Sequence, residues 1–105
     1  MSLREVNDLS FDDEVLRADR PVLVDFGAVW CSPCRLQEPL LEKLAAERDD
    51  VVVVKVDVED SPVTAQTYGV RAMPTLVLFR NGQPTARAVG LQHPGRLQAL
   101  LDGQG

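Results

Sequence analysis

The amino-acid sequence predicts an α/β fold in which a central mixed β-sheet is flanked by helices on both faces. Two aliphatic runs of strand length, "PVLVDFGA" at 21–28 and "VVVVKVDV" at 51–58, read as strands buried on both sides. Later, "TLVLFRNGQPTARAVG" at 75–90 carries Asn81-Gly82 between two β-rich halves, the pairing that two-residue hairpins favour. The order strand, helix, strand, helix, hairpin, helix then gives a sheet that is parallel in its centre with an antiparallel edge.

Each element has its own signal. The first few residues are expected to add a further strand. Ser10 followed by Asp13 resembles a capping box, and Phe11, Val15 and Leu16 follow at helical spacing, so a short helix is expected over about residues 10–19. Arg20 and Pro21 stop it. The strand at 21–28 is interrupted only by Asp25, an acid in an apolar run. Leu36, Leu40, Leu41, Leu44 and Ala45 recur at spacings of three and four, which predicts a helix from about Cys34 to Arg48, kinked by Pro39. Asp49-Asp50 ends that helix, and Lys55 is the odd residue of the strand at 51–58. Ser61-Pro62 reads as an N-cap with proline in the first helical position, and Gly69 as the glycine just past the helix end. Leu97, Leu100 and Leu101 mark a last helix, with His93 assigned to solvent or its start.

A chain of 105 residues falls in the usual size range of one domain. Its hydrophobic share of 45% and charged share of 26% are those of an ordinary globular protein. The net charge of −5, with the basic residues scattered, argues against nucleic acid as a partner, because phosphate binding needs clustered Lys and Arg. No apolar run approaches the roughly 20 residues of a membrane helix, and the opening "MSLREVNDLSFDDEV" has no apolar core of a secretory signal. A cytoplasmic location is therefore expected, where a lone Cys pair is metal-binding or catalytic rather than structural.

That pair, Cys31 and Cys34, lies in "VDFGAVWCSPCRLQEP". As a staple it closes so small a loop that chain entropy credits it with only about 2 kcal/mol. As a zinc site it lacks ligands, since four are wanted and only the distant His93 could join. A redox role explains more. Cys31 falls where a strand has ended and a helix is about to begin, so unpaired N–H groups and the positive end of the helix dipole face its sulfur and favour the thiolate. A downward pKa shift of about 1.5 units needs roughly 2 kcal/mol, much of which a partly buried helix terminus supplies. A hydrogen bond from the Cys34 thiol is expected to supply the rest, and Cys34, one turn in, is expected to be the less exposed of the two.

"WCSPC" after "VDF", with "RAMPTLVLF" about forty residues later, resembles the thioredoxin family, and the likeness runs from about residue 10 to the end. The resemblance implies the thioredoxin fold over a single domain, residues 1–105, and a general protein-disulfide reductase. In that role Cys31 attacks a substrate disulfide and Cys34 resolves the mixed disulfide. Asp25 matches the family's buried acid, general base for Cys34 and general acid in reverse, and Lys55 matches the lysine that neighbours it. An acid in an apolar strand is expected on physical grounds to have a raised pKa suited to proton transfer. A buried structural ion pair of Asp25 with Lys55 is the competing reading. Trp30 matches a tryptophan beside the active site, or else is core packing. Met73-Pro74 matches the segment whose cis proline lies opposite the cysteines and whose backbone pairs with substrate, and Gly90 matches a glycine bordering that groove. The implied partners are disulfide-containing proteins and an NADPH-dependent thioredoxin reductase. No cofactor is implied, since no nucleotide fingerprint appears, and nothing in the pattern demands more than a monomer.

Two residues depart from the family pattern. Ser32 stands where glycine is commonest, and its hydroxyl is expected either to hydrogen-bond a sulfur or to cap the helix. Pro33 is retained, which by resemblance favours a reductant. Gly27 stands where many members have a second tryptophan, so packing near the site is reduced and the loop or reductase recognition altered. A specialised oxidase or isomerase, and a redox-independent scaffold subunit, are the alternative functions of such a fold.

Overall fold

Alternation along the central strand decides the layering. In a computed structural model that describes residues 3–103, β1 (Arg4–Glu5), β2 (Val22–Gly27), β3 (Val52–Asp57), β4 (Thr75–Arg80) and β5 (Gln83–Val89) form one sheet in the order β1-β3-β2-β4-β5. β1, β3 and β2 run parallel, whereas β4 and β5 are antiparallel additions. Val22, Val24 and Phe26 point to one face, into a cluster with Phe11, Val15, Val54, Val56, Val77 and Phe79. Leu23 points to the other face, where Leu76 and Leu78 meet Leu41 and Leu44 of α1 (Ser32–Glu47) and Leu97, Leu100 and Leu101 of α3 (Pro94–Leu101). Asp25 shares the parity of Leu23 and so faces α1.

On the opposite face Tyr68, at the end of α2 (Pro62–Thr67), stacks edge-on against Phe79 at 5.0 Å and tilted against Phe11 at 5.5 Å. The strand expected from the first residues is β1, in parallel register with Val54 and Lys55. Most elements stand where the sequence places them, and α1 runs unbroken through Pro39, starting two residues earlier than expected.

Two helix starts differ from expectation. Ser10 does not cap onto Asp13: its hydroxyl accepts from the Asn7 N–H at 3.0 Å, and the Asn7 carboxamide accepts from the N–H groups of Leu9 and Ser10. This local Asx turn uses the donors that a capping box would need. The next residues form a π-helical turn, Asp12–Leu16, with the Arg17 N–H donating to the Asp12 carbonyl five residues back. Ser61 likewise does not cap α2, and its buried hydroxyl has no hydrogen-bond partner among the described residues. The Asp8 carboxylate takes over, accepting from the N–H of Val63 at 3.2 Å, the N–H of Thr64 at 2.8 Å and the Thr64 hydroxyl at 2.6 Å. A charged acceptor at a helix N-terminus is favoured by the dipole as well as by the unpaired donors.

The hairpin turn has the left-handed backbone that Asn-Gly suits, with φ of 53° at Asn81 and 76° at Gly82. Opposite it, Thr85 is the extra residue of a bulge, since Leu78 pairs Ala86 while Phe79 pairs Pro84. Pro84 is tolerated because β5 is an edge strand.

A Cβ on Gly82 would lie 2.7 Å from the Leu16 carbonyl oxygen, whereas one on Gly69, also left-handed, would meet nothing closer than 3.9 Å. Gly69→Ala is expected to cost about 1–2 kcal/mol, the usual penalty of that conformation. Gly82→Ala should cost clearly more, because the clashing atom is backbone. Denaturant unfolding of the two variants side by side checks this, and equal losses would show that the hairpin turn shifts freely.

Candidate active site

Cys31 leaves β2 through the loop 28–30 and becomes the N-cap of α1, with φ −90° and ψ 111°. Its sulfur accepts the N–H of Cys34 at 3.2 Å, the donor that a capping hydroxyl would ordinarily satisfy. Pro33, in the first turn, brings no N–H of its own, so Cys34 supplies the donor. The two cysteines are joined as a disulfide, with Cα atoms 5.2 Å apart, in a small cluster with Ala28 and the partly buried Val58 and Met73. In this state Cys34 is not the less exposed: the residues are 6% and 7% accessible, because the bond holds both sulfurs under one cover. In the disulfide form the donor at the Cys31 sulfur is the backbone N–H of Cys34.

Ser32 neither bonds a sulfur nor caps the helix. Its hydroxyl accepts from the Arg35 guanidinium at 3.2 Å, and the same side chain donates to the Val29 carbonyl at 2.7 Å. A charged donor three residues on, over the same helix face, wins the hydroxyl and ties the loop to the helix.

Beneath the disulfide, Asp25 is buried at 4% exposure, and its Oδ1 has no hydrogen-bond partner among the described residues. It lines a cavity of about 210 Å³ together with Gly27, Cys34, Glu38 and Lys55. Burial pushes its carboxyl up to about 7, reinforced by the negative charge of Glu38 and opposed by Lys55. Lys55 is its neighbour, in direct register on β3, yet the expected alternative of an Asp25–Lys55 ion pair is not formed. The Lys55 ammonium instead donates to Glu38 at 3.1 Å. Gly27 borders this cavity, and a Cβ there would stand 3.1 Å from the Cys34 sulfur, so glycine allows β2 to end close against the pair.

The rim is formed by separate elements. Trp30 is 57% exposed, which excludes plain core packing, and its indole N–H donates to Glu59 at 3.0 Å. The Met73-Pro74 bond is cis, Met73 packs against the cysteine cluster, and the N–H of Gly90 donates to the Pro74 carbonyl at 2.8 Å. The backbone of Met73 itself takes no partner among the described residues. Pro33 and Ser32 are exposed beside the disulfide. His93 is the exposed residue preceding α3 and is not among those lining the cavity.

Sequence reasoning missed Glu38, Gln37, Arg35 and Glu59. Gln37 is fully buried, and its amide both donates to the Gln92 carbonyl at 3.0 Å and accepts the Gln92 N–H at 2.7 Å, pinning the segment after Gly90 to α1. The signal was present, since Gln37 precedes Leu41 and Leu44 at helical spacing on the buried stripe. For Glu38 no signal existed, because its partner lies on another element.

A family model, Thioredoxin, matches residues 2–103. A thioredoxin of Mycobacterium tuberculosis is 49% identical over 87 residues, covering 82% of this chain and 75% of the relative. One of Rhodospirillum rubrum is 47% identical over 89 residues, covering 84% and 86%, and one of Rickettsia typhi is 42% identical over 101 residues, covering 95% and 93%.

The raised Asp25 carboxyl makes stability depend on pH. Between its unfolded value of 3.8 and about 7 the folded chain holds a proton that the unfolded chain has released, so stability falls as pH rises through that window. Above it the penalty is complete, on the order of 4 kcal/mol for a shift of about three units. Asp25→Asn should therefore unfold at higher denaturant than wild type at pH 8, with the gain disappearing towards pH 4. Equal midpoints at pH 8 would mean that the carboxyl is solvated.

Proposed function

The chain belongs to the thioredoxin family, and on that premise we propose that Cys31 is its attacking thiol, Cys34 its resolving thiol and Asp25 the group that carries the proton between them. As a family member with a disulfide-forming Cys pair, it is a thiol-disulfide oxidoreductase that reduces disulfide-containing proteins. The observation that carries the residue roles is the Cys31 sulfur at the N-cap of α1, accepting the Cys34 N–H, with Asp25 and Cys34 lining one cavity beneath it.

In the reduced protein the Cys31 thiolate attacks one sulfur of the substrate disulfide, and the other leaves as a thiol after taking a proton. The Asp25 carboxylate then accepts the Cys34 proton through water in the shared cavity, whose volume of about 210 Å³ accommodates it. The Cys34 thiolate attacks the Cys31 sulfur and expels the second substrate thiolate, which Asp25 reprotonates. Two electrons pass to the substrate, and the Cys31–Cys34 disulfide remains. A carboxyl poised at about 7 suits both halves of this exchange near neutral pH.

The unpaired Met73 backbone supports short strand-like pairing with an extended substrate segment, with Trp30, Ser32, Pro33, Pro74 and Gly90 as the walls of the groove. Lys55 modulates Asp25. An NADPH-dependent thioredoxin reductase restores the dithiol, and the chain uses no cofactor of its own. It acts as a monomer, a single domain over residues 1–105, in the cytoplasm. Among the described residues no helix is long and apolar enough to cross a membrane.

Cys31→Ser should abolish reduction of a protein disulfide, whereas Cys34→Ser should accumulate a covalent mixed disulfide through Cys31, seen by mass spectrometry. Asp25→Asn should leave formation of that adduct intact and slow its resolution at pH 7 on the order of 10²-fold. A mixed disulfide trapped through Cys34 in Cys31→Ser, with none in Cys34→Ser, would reverse the assignment of the two thiols.

A further inference from the structure

We propose that Glu38 is a positioning residue of this reaction: it holds the Lys55 ammonium on the α1 side of the cavity and thereby keeps that ammonium off the Asp25 carboxyl. The inference rests on the reading of Asp25 as the proton carrier.

Register makes Asp25 the obvious partner of Lys55. The two residues are directly opposite on β2 and β3, their side chains emerge on the same face, and Asp25 Oδ1 is buried without a hydrogen-bond partner among the described residues. An ammonium on a four-carbon stem next to an unsatisfied carboxyl should swing to it. The structure places it elsewhere, on Glu38 at 3.1 Å, with the two side chains 28% and 32% exposed. Glu38 stands one turn after Cys34 on α1, so the helix face that presents the resolving thiol to the cavity also presents the carboxylate that captures Lys55.

The other charged groups facing this space do not compete. Arg35 of α1 is turned to the Val29 carbonyl and the Ser32 hydroxyl. Glu5 of β1 lies on the far side of Lys55 in register and is exposed, and Asp57 of β3 accepts the Glu59 N–H at 2.9 Å. Glu38 is the only one of these groups that bonds Lys55.

The chemical consequence lies in the effect of an ammonium on a buried acid. Paired with Lys55, Asp25 would be held ionised at neutral pH and would return a proton poorly. With Lys55 diverted, the same carboxyl exchanges its proton in the working range, and the two charges act on it in the senses this requires, Glu38 upward and Lys55 downward.

The test is a carbon NMR titration of the Asp25 carboxyl in the oxidised full chain, comparing wild type, Glu38→Ala, Lys55→Met and the double variant. Glu38 is half-exposed in mid-helix, where alanine is well tolerated. The Asp25 midpoint should fall by about one pH unit in Glu38→Ala, and by much less when Glu38→Ala is introduced into the Lys55→Met background. An unchanged midpoint in Glu38→Ala overturns the inference. So does an equal fall with and without Lys55, because Glu38 would then act as a bare charge and not through the lysine. The titration reads Asp25 where no thiol is free to react, so it stands apart from the Asp25→Asn kinetics on which the proton-carrier reading depends.

Discussion

The carboxyl of Asp25 occupies the middle strand of the sheet, paired on both edges by β3 and β4 and facing α1, so almost none of it is exposed. Charging such a group costs several kcal/mol, and the fold accommodates it by leaving a cavity instead of a filled core. Its neighbour Leu23, with the same parity one pleat away, shows what the position would otherwise hold. The cavity, and the lysine on β3 and the glutamate on α1 that line it, surround this one acid where an aliphatic side chain would pack better. Sacrificed stability at a site of chemistry is a common physical signature.

Topology converts this burial into a site. The parallel pair β2 and β3 ends at one edge, and the ligand-binding end of such sheets is the carboxyl end of the strands. Cys31 follows β2 at that edge, while antiparallel β4 begins there after Pro74, so the cysteines and the cis proline meet although forty residues separate them. The Gly90 N–H, donating to the Pro74 carbonyl, extends the β4–β5 pairing to the same rim. Gln37 then locks the segment beyond Gly90 to the helix that carries both cysteines. Groove and reagent are thus parts of one rigid frame.

Most of this frame was legible because its signals are local. The aliphatic runs, Asn81-Gly82 and the leucine spacings each depend on residues near in sequence, and the elements they predict are present. The oddity of Asp25 was equally visible, since only an acid in an apolar run needs explaining. Contact across elements could not be read. Ser61 looked like a cap, yet Asp8, distant along the chain, satisfies the start of α2. Ser10 has the spacing of a cap, yet Asn7 three residues before it takes the local donors in an Asx turn. Lys55 stands opposite Asp25, the position that the family resemblance implies, but its choice of Glu38 over Asp25 depends on how α1 rotates over the sheet. No spacing rule encodes that rotation.

The same distinction bears on Ser32. As a sequence feature it suggested a hydroxyl acting on sulfur, yet in the fold Arg35 claims that hydroxyl, leaving the Cys34 N–H as the donor at the Cys31 sulfur. A hydrogen bond to a charged acceptor is worth about 1.5–3 kcal/mol. That donor is backbone, fixed by the first turn of α1 and already aimed at the sulfur in the disulfide form. On the roles proposed above, a thiolate at Cys31 would find this donor already aimed at it, the condition under which electrostatic stabilisation is most effective. The contribution of Ser32 is then indirect: through Arg35 it anchors the Val29 carbonyl and so the loop from which Cys31 is presented.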